Sequence, residues 1–195
     1  MGFFNINVVM KRIISSLCAV ILAISAIGQN PFLTYEITSA NTVEVHDCAT
    51  SAISVTIPES IVDTNGITYS VTAIGEKAFQ HCTKLEEIII PNSITTIGDN
   101  AFHNCNKLSS ITFSNTLTSI GNNAFLKCST LTSVIIPSSV TSISSQAFKD
   151  CSSLNSVTLP ESATIAINAF DNAGKRDTIN GVVYSGNDTL NVSNY

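Results

Sequence analysis

The chain has 195 residues, of which 12% are charged, and its net charge is −5. A charged share about half the usual one, with no basic stripe to neutralise phosphates, excludes nucleic acid as a partner. Polarity must come from Ser, Thr and Asn, and the length allows one or two globular domains.

At the N-terminus, Lys11-Arg12 precede an apolar run from Ile13 to Ile24, and the small residues of Ser25-Ala26-Ile27-Gly28 follow. This is the layout of a secretory leader and predicts cleavage before Gln29. The run of about a dozen apolar residues is shorter than the ~20 needed to span a bilayer. No second stretch of spanning length follows. Residues 1–28 are thus read as a signal peptide, and the mature protein as secreted or displayed at the cell surface without spanning the membrane. Cys18 lies inside the apolar run rather than closing it, which argues against a lipid anchor there.

Residues 29–73 read as an N-terminal cap. Tyr35/Ile37 and Val43/Val45 alternate on either side of Ala40-Asn41, which predicts a hairpin. A second hairpin is predicted around Asn65-Gly66, between Ile61-Val62 and Ile67-Tyr69-Val71, because Asn-Gly favours the tight turns that join antiparallel strands. Between them, Ala52, Val55, Ile57 and Pro58 look like half of the unit that follows.

That unit recurs every 23 residues over residues 74–164. Ile74-Gly75, Ala78-Phe79, Cys82 and Leu85 return as Ile97-Gly98, Ala101-Phe102, Cys105 and Leu108. The frame returns again at Ile120-Gly121 with Ala124-Phe125 and Cys128, and at Ile143 with Ala147-Phe148 and Cys151. A repeat of this length cannot bury its apolar side alone and must stack on its copies. Leu85, Ile88 and Ile90 alternate as a short strand that Pro91 ends. Ile94 and Ile97 point back inward after a turn, and Gly98 allows a tight bend. Ala101, Phe102, Cys105 and Leu108 then fall at i, i+1, i+4 and i+7, the spacing of one side of a short helix or 3₁₀ segment. The expected fold is an α/β solenoid, with a parallel sheet on one face, short helices or 3₁₀ turns on the other, and β-hairpin caps. Residues 165–195 supply a degenerate fifth unit, with Ala169-Phe170 but Ala173 in the cysteine position, and a C-terminal β cap through Ile179–Tyr184 and Leu190.

The pattern Ile-Gly-x-x-Ala-Phe-x-x-Cys-x-x-Leu-x-x-Ile-x-Ile-Pro-x-Ser, strong from Ala52 to Phe170, resembles the BspA-type leucine-rich repeat family. Ser114 stands where the pattern has Pro, and Ser144 where it has Gly. The resemblance implies a curved solenoid that binds macromolecules, displayed or exported by its cell, with adhesion to host matrix proteins or to other cells as a recurring role. It names no ligand.

Cys82, Cys105, Cys128 and Cys151 are too evenly and widely spaced for a zinc site, and a column at strand spacing is too open for disulfides, so buried thiols are expected. Cys48 lies outside that ladder. His46, His81 and His103 share no spacing, and the acidic residues form no evident pair. No catalytic, cofactor or metal residue is therefore assigned. The remaining candidate is the outward strand face, Glu87, Ile89, Ser110, Thr112, Ser133, Ile135, Ser156 and Thr158, where apolar side chains framed by hydroxyls suit docking. The expected function is a non-enzymatic, cofactor-free, monomeric recognition or adhesion module for a protein or glycan. A structural spacer within a longer surface array is the alternative. A secreted hydrolase comes third, since it needs an acid–base pair that the chain does not display.

Overall fold

The computed structural model describes residues 21–22, 30–174 and 190–191. The leader assigned to residues 1–28 lies outside the described residues except at Ile21–Leu22, which pair antiparallel with Tyr35 and Glu36. The C-terminal cap likewise lies outside them except at Leu190–Asn191, which pair antiparallel with Thr164 and Ile165.

The repeats are stacked coils whose strands pair in parallel with the same positions of the next coil. The expected strands form at Glu87–Ile89, Ser110–Thr112, Ser133–Ile135 and Ser156–Thr158. In each, the central residue is buried and its neighbours are exposed, as the period of two requires. Ser54–Thr56 joins them, with Val55 opposite Ile88, so the half-unit before the first full repeat is a true coil on this side.

A second ladder runs along an adjacent side. Thr96–Ile97, Ser119–Ile120, Ser142–Ile143 and Thr164–Ile165 pair in parallel, with the isoleucines in register. The sequence pattern had marked Ile97 and its equivalents only as inward-pointing residues after a turn. They are buried, and they are also strand. The ladder continues into the cap, where Thr68–Ile74 pairs in parallel with both Thr96–Ile97 and Thr42–Cys48, and Leu33–Ile37 closes the predicted hairpin with Thr42–Cys48. The Asn65-Gly66 hairpin joins Ser60–Val62 to Thr68–Ile74, with Gly66 at φ 81°. Among the described residues ten strands make up this sheet.

The third side departs from expectation. Among the described residues there is no helix and no 3₁₀ segment. Overlapping turns replace them in each coil. Ala101 N donates to Gly98 O and Cys105 N to Phe102 O, with Asn100 at φ 57° and Asn104 at φ 65° in the third position of each turn. Positive φ there is a type II feature and interrupts any helix. His103 N stays within the coil and donates to Asn100 O, while alternate N–H groups leave it: Asn100 N donates to Asn122 O, Phe102 N to Ala124 O, and Asn104 N to Leu126 O, at 2.7–2.8 Å. A helix would spend those donors within its own coil, whereas here they bind the next one. The i, i+1, i+4, i+7 spacing is thus met by turns that place Ala, Phe and Cys inward.

Gly98 serves a different purpose from the one expected. Its φ is not positive; a Cβ there would lie 2.8 Å from Glu76 N and 2.9 Å from Gly75 C. The same holds at Gly121, against Asp99 Oδ1 at 2.5 Å and Gly98 C at 2.7 Å. Glycine in this column lets successive backbones touch. Ser114, in the position of Pro91, is buried and donates its hydroxyl to Ile94 O at 2.6 Å.

Inside, Phe79, Phe102, Phe125 and Phe148 are fully buried, and with Phe170 they form one column of near-parallel rings, centroids 4.8–5.0 Å apart. Replacing Phe102 by Ala opens a cavity between two rings and should cost about 3–5 kcal/mol in guanidinium unfolding. Tyr35 is the opposite case. It is 1% exposed and its hydroxyl has no hydrogen-bond partner. Tyr35→Phe removes a desolvated polar group and should raise the unfolding free energy by about 1 kcal/mol, measured the same way.

Candidate functional site

The strand face is built by the alternation inside each three-residue strand. With the central residue locked in the core, the flanking pair must face water. Register then aligns them in two rows. Ser54, Glu87 and Ser110 are neighbours in one row, as are Ser133 and Ser156. Thr56, Ile89 and Thr112 are neighbours in the other, as are Ile135 and Thr158. Ile89 is 52% exposed and Ile135 71%, high for isoleucines on a regular sheet. All eight residues singled out in the sequence lie on this side, although the hydrogen bonding between its strands is not continuous. The ladder stops between Ser110–Thr112 and Ser133–Ile135, leaving a three-stranded and a two-stranded sheet. The break coincides with Phe113, whose ring meets Phe125 edge-on at 5.7 Å, and with Ser114 in place of proline. Next to Ile135 the surface dips into a shallow depression of about 540 Å³, lined by Pro137, Thr158, Pro160 and Glu161 among others. Lys107 Nζ lies 3.8 Å from Glu86 Oε1 at the rim. The face offers methyl groups and hydroxyls with little charge, a surface that can bury apolar area and exchange hydrogen bonds.

The cysteines have a structural task. Cys105 Sγ donates to Phe79 O at 3.0 Å, Cys128 Sγ to Phe102 O at 3.2 Å, and Cys151 Sγ to Phe125 O at 3.1 Å. Each thiol is thereby a second donor to the carbonyl of the phenylalanine in the preceding coil, which also accepts a backbone N–H of its own turn. Cys48 and the four ladder cysteines are free thiols. Burial pushes Cys105 and Cys128 up and takes Cys151 to about 12.

The histidines are placed unevenly. His46 Nδ1 lies 3.0 Å from Glu36 Oε2 across the cap hairpin. His81 and His103, which the repeat spacing left unrelated, touch: their ring centroids are 5.4 Å apart. The signal was available, because a separation of 22 places them one position out of step in neighbouring coils. Among the described residues no group of three or more His, Cys, Asp or Glu side chains is gathered into a metal-binding cluster.

The thiols make alkaline pH a probe of the core. Unfolded cysteines ionise near pH ~8.5, while these three stay protonated in the fold. Their contribution to stability is whole below that pH and declines as pH rises toward their folded values, by about 1.4 kcal/mol per unit for each thiol. Denaturant unfolding at pH 8 and pH 10 should show this decline. Cys128→Ala, although less stable at neutral pH, should lose less over the same interval.

The profile of the BspA-type leucine-rich repeat region matches residues 59–176 as six copies, extending the four full units into the cap and the fifth unit. No curated protein matches the chain. Among solved structures, a leucine-rich repeat protein from Bacteroides ovatus is 36% identical, covers 68% of this chain and superposes with a TM-score of 0.64. A leucine-rich repeat protein from Bacteroides capillosus is 32% identical over 67% of the chain, with a TM-score of 0.60. A leucine rich cell surface protein from Faecalibacterium prausnitzii is 25% identical over 85% of the chain, with a TM-score of 0.58. The chain spans 35% of the Bacteroides ovatus protein, 95% of the Bacteroides capillosus protein and 55% of the Faecalibacterium protein. With its repeats, its parallel ladders and these relatives in agreement, the chain belongs to the BspA-type leucine-rich repeat family.

Proposed function

We propose that this chain is an exported, non-enzymatic recognition module that docks a protein or glycan against its strand face, at a host matrix or another cell's surface. The observation that carries this reading is the exposure of Ile89 and Ile135 on regular strands framed by Ser110, Thr112, Ser133, Ser156 and Thr158. Isolated apolar residues are ordinary on a surface, but an apolar patch rimmed by polar groups on a rigid sheet is a docking feature. The leader-like N-terminus supports secretion or surface display, as does the likeness to a protein described as a cell surface protein. The module acts as a monomer and needs no cofactor. The alternative, a spacer within a longer repeat array, is favoured by the 35% coverage of the Bacteroides ovatus protein.

The test is binding of the purified chain to arrayed matrix proteins and glycans. The pair Thr112→Arg and Ile135→Arg, one on each strand sheet, should weaken a positive signal at least ~10-fold by adding bulk and charge, a loss of about 1.4 kcal/mol or more. The control pair Asn100→Lys and Asn123→Lys sits on the turn side, where Lys77 already occupies the equivalent position, and should leave binding unchanged. Equal loss in both pairs would move the surface off the strand face, and no binding to any array would favour the spacer.

A further inference from the structure

The turn side carries one arrangement that repeat packing alone does not require. Gln80-His81 of one coil lies beside His103-Asn104 of the next, with amide and imidazole in opposite order. Gln80 Nε2 is 3.2 Å from His103 Nδ1, and Asn104 Nδ2 is 3.0 Å from His81 Nδ1. Each ring is therefore held at Nδ1 by a carboxamide from the other coil. A carboxamide presents a donor at one end and an acceptor at the other, and a half-turn of the group exchanges them. In the orientation observed each Nδ1 accepts from an amide N–H and each Nε2 carries the proton; a half-turn of both amides puts their oxygens on Nδ1, moves the proton there and frees the Nε2 lone pair. Metal-binding histidines are typically prepared in this way, the second ring nitrogen donating to an oxygen that fixes tautomer and orientation.

We propose that His81 and His103 form a two-imidazole site for a divalent first-row transition metal such as Ni²⁺, Cu²⁺ or Zn²⁺, with Gln80 and Asn104 as positioning residues. Metal–nitrogen bonds of about 2.0–2.1 Å at square or tetrahedral angles put two ring centroids roughly 4.5–5.2 Å apart. The observed 5.4 Å is within a small side-chain adjustment of that range. Borderline metals of this group favour imidazole nitrogen, and water completes the coordination. Lys127 is a cation whose charge is felt at His103 and opposes binding, so the site depends on the two rings together. Lys77 is already paired with Glu76.

Untagged chain titrated with Ni²⁺ by calorimetry at neutral pH, in a buffer that does not coordinate metals, should bind one ion. His81→Gln and His103→Gln should each weaken binding at least ~10-fold, and Gln80→Leu or Asn104→Leu about tenfold, the effect of removing an outer-shell partner. His46→Gln should change nothing. In the wild-type chain, paramagnetic Ni²⁺ should broaden the ring signals of His81 and His103 before those of His46, a readout that does not depend on any variant folding. Absence of Ni²⁺ binding, binding that survives loss of both rings, or broadening that starts at His46 overturns the proposal.

Discussion

Everything in this molecule depends on each coil's backbone pairing with the coil beside it. On all three sides the N–H and C=O groups of one unit are satisfied by the next: two parallel ladders and a set of turn-to-turn bonds such as Phe102 N to Ala124 O. Buried backbone groups demand partners, and a unit this short has too few residues to supply its own. The near-constant repeat length follows from this, because positions meet their counterparts most simply when successive coils close after the same number of residues. The phenylalanine column, the thiol-to-carbonyl contacts and the glycine column are what that register brings into contact. The last coil, one residue shorter, still keeps the strand pairing and the phenylalanine stack.

The same constraint explains what the sequence conveyed and where it fell short. Recurrence made the inward residues legible, since only a buried position needs the same Ala, Phe, Cys and Leu in every coil. Asn65-Gly66 announced its hairpin through the backbone conformation that it favours. The helix was mistaken because spacing records which side chains point inward, not where the amides between them are bonded. Asn100 and Asn104 accept positive φ, and that substitutes turns for a helix without changing the inward pattern. The second ladder was obscured by strands only two residues long, too short for alternation to register. Gly98 was legible as necessary, but for the wrong reason: contact between backbones leaves no periodic trace of its own.

The outward surface was legible in position only. Alternation placed Glu87, Ile89, Ser110, Thr112, Ser133, Ile135, Ser156 and Thr158 toward water, yet no pattern foretold the gap between the sheets. That break in pairing coincides with one coil whose Phe113 and Ser114 differ from their equivalents, a local change inside a regular array. The turn side shows the reverse. Its histidines carry no repeat signal, and their contact arises because a residue one place out of step in the next coil is still a neighbour.

Identical rings above and below each phenylalanine make the interior coils interchangeable. Removal of one whole unit by recombination would bring Phe102 onto Phe148, or Phe79 onto Phe125, as the next ring of an unaltered column, with the thiol and glycine columns rejoined alongside. A deletion of any other length would break all three at once. Such a chain can shorten or lengthen between generations without redesigning its core, provided that the change respects the period. The coil bearing Phe113 is the exception, because its ring reaches edge-on to Phe125 of the coil after it. Shuffling among the coils is therefore freest away from that junction, and the interruption in the strand face would travel with the coil that carries it.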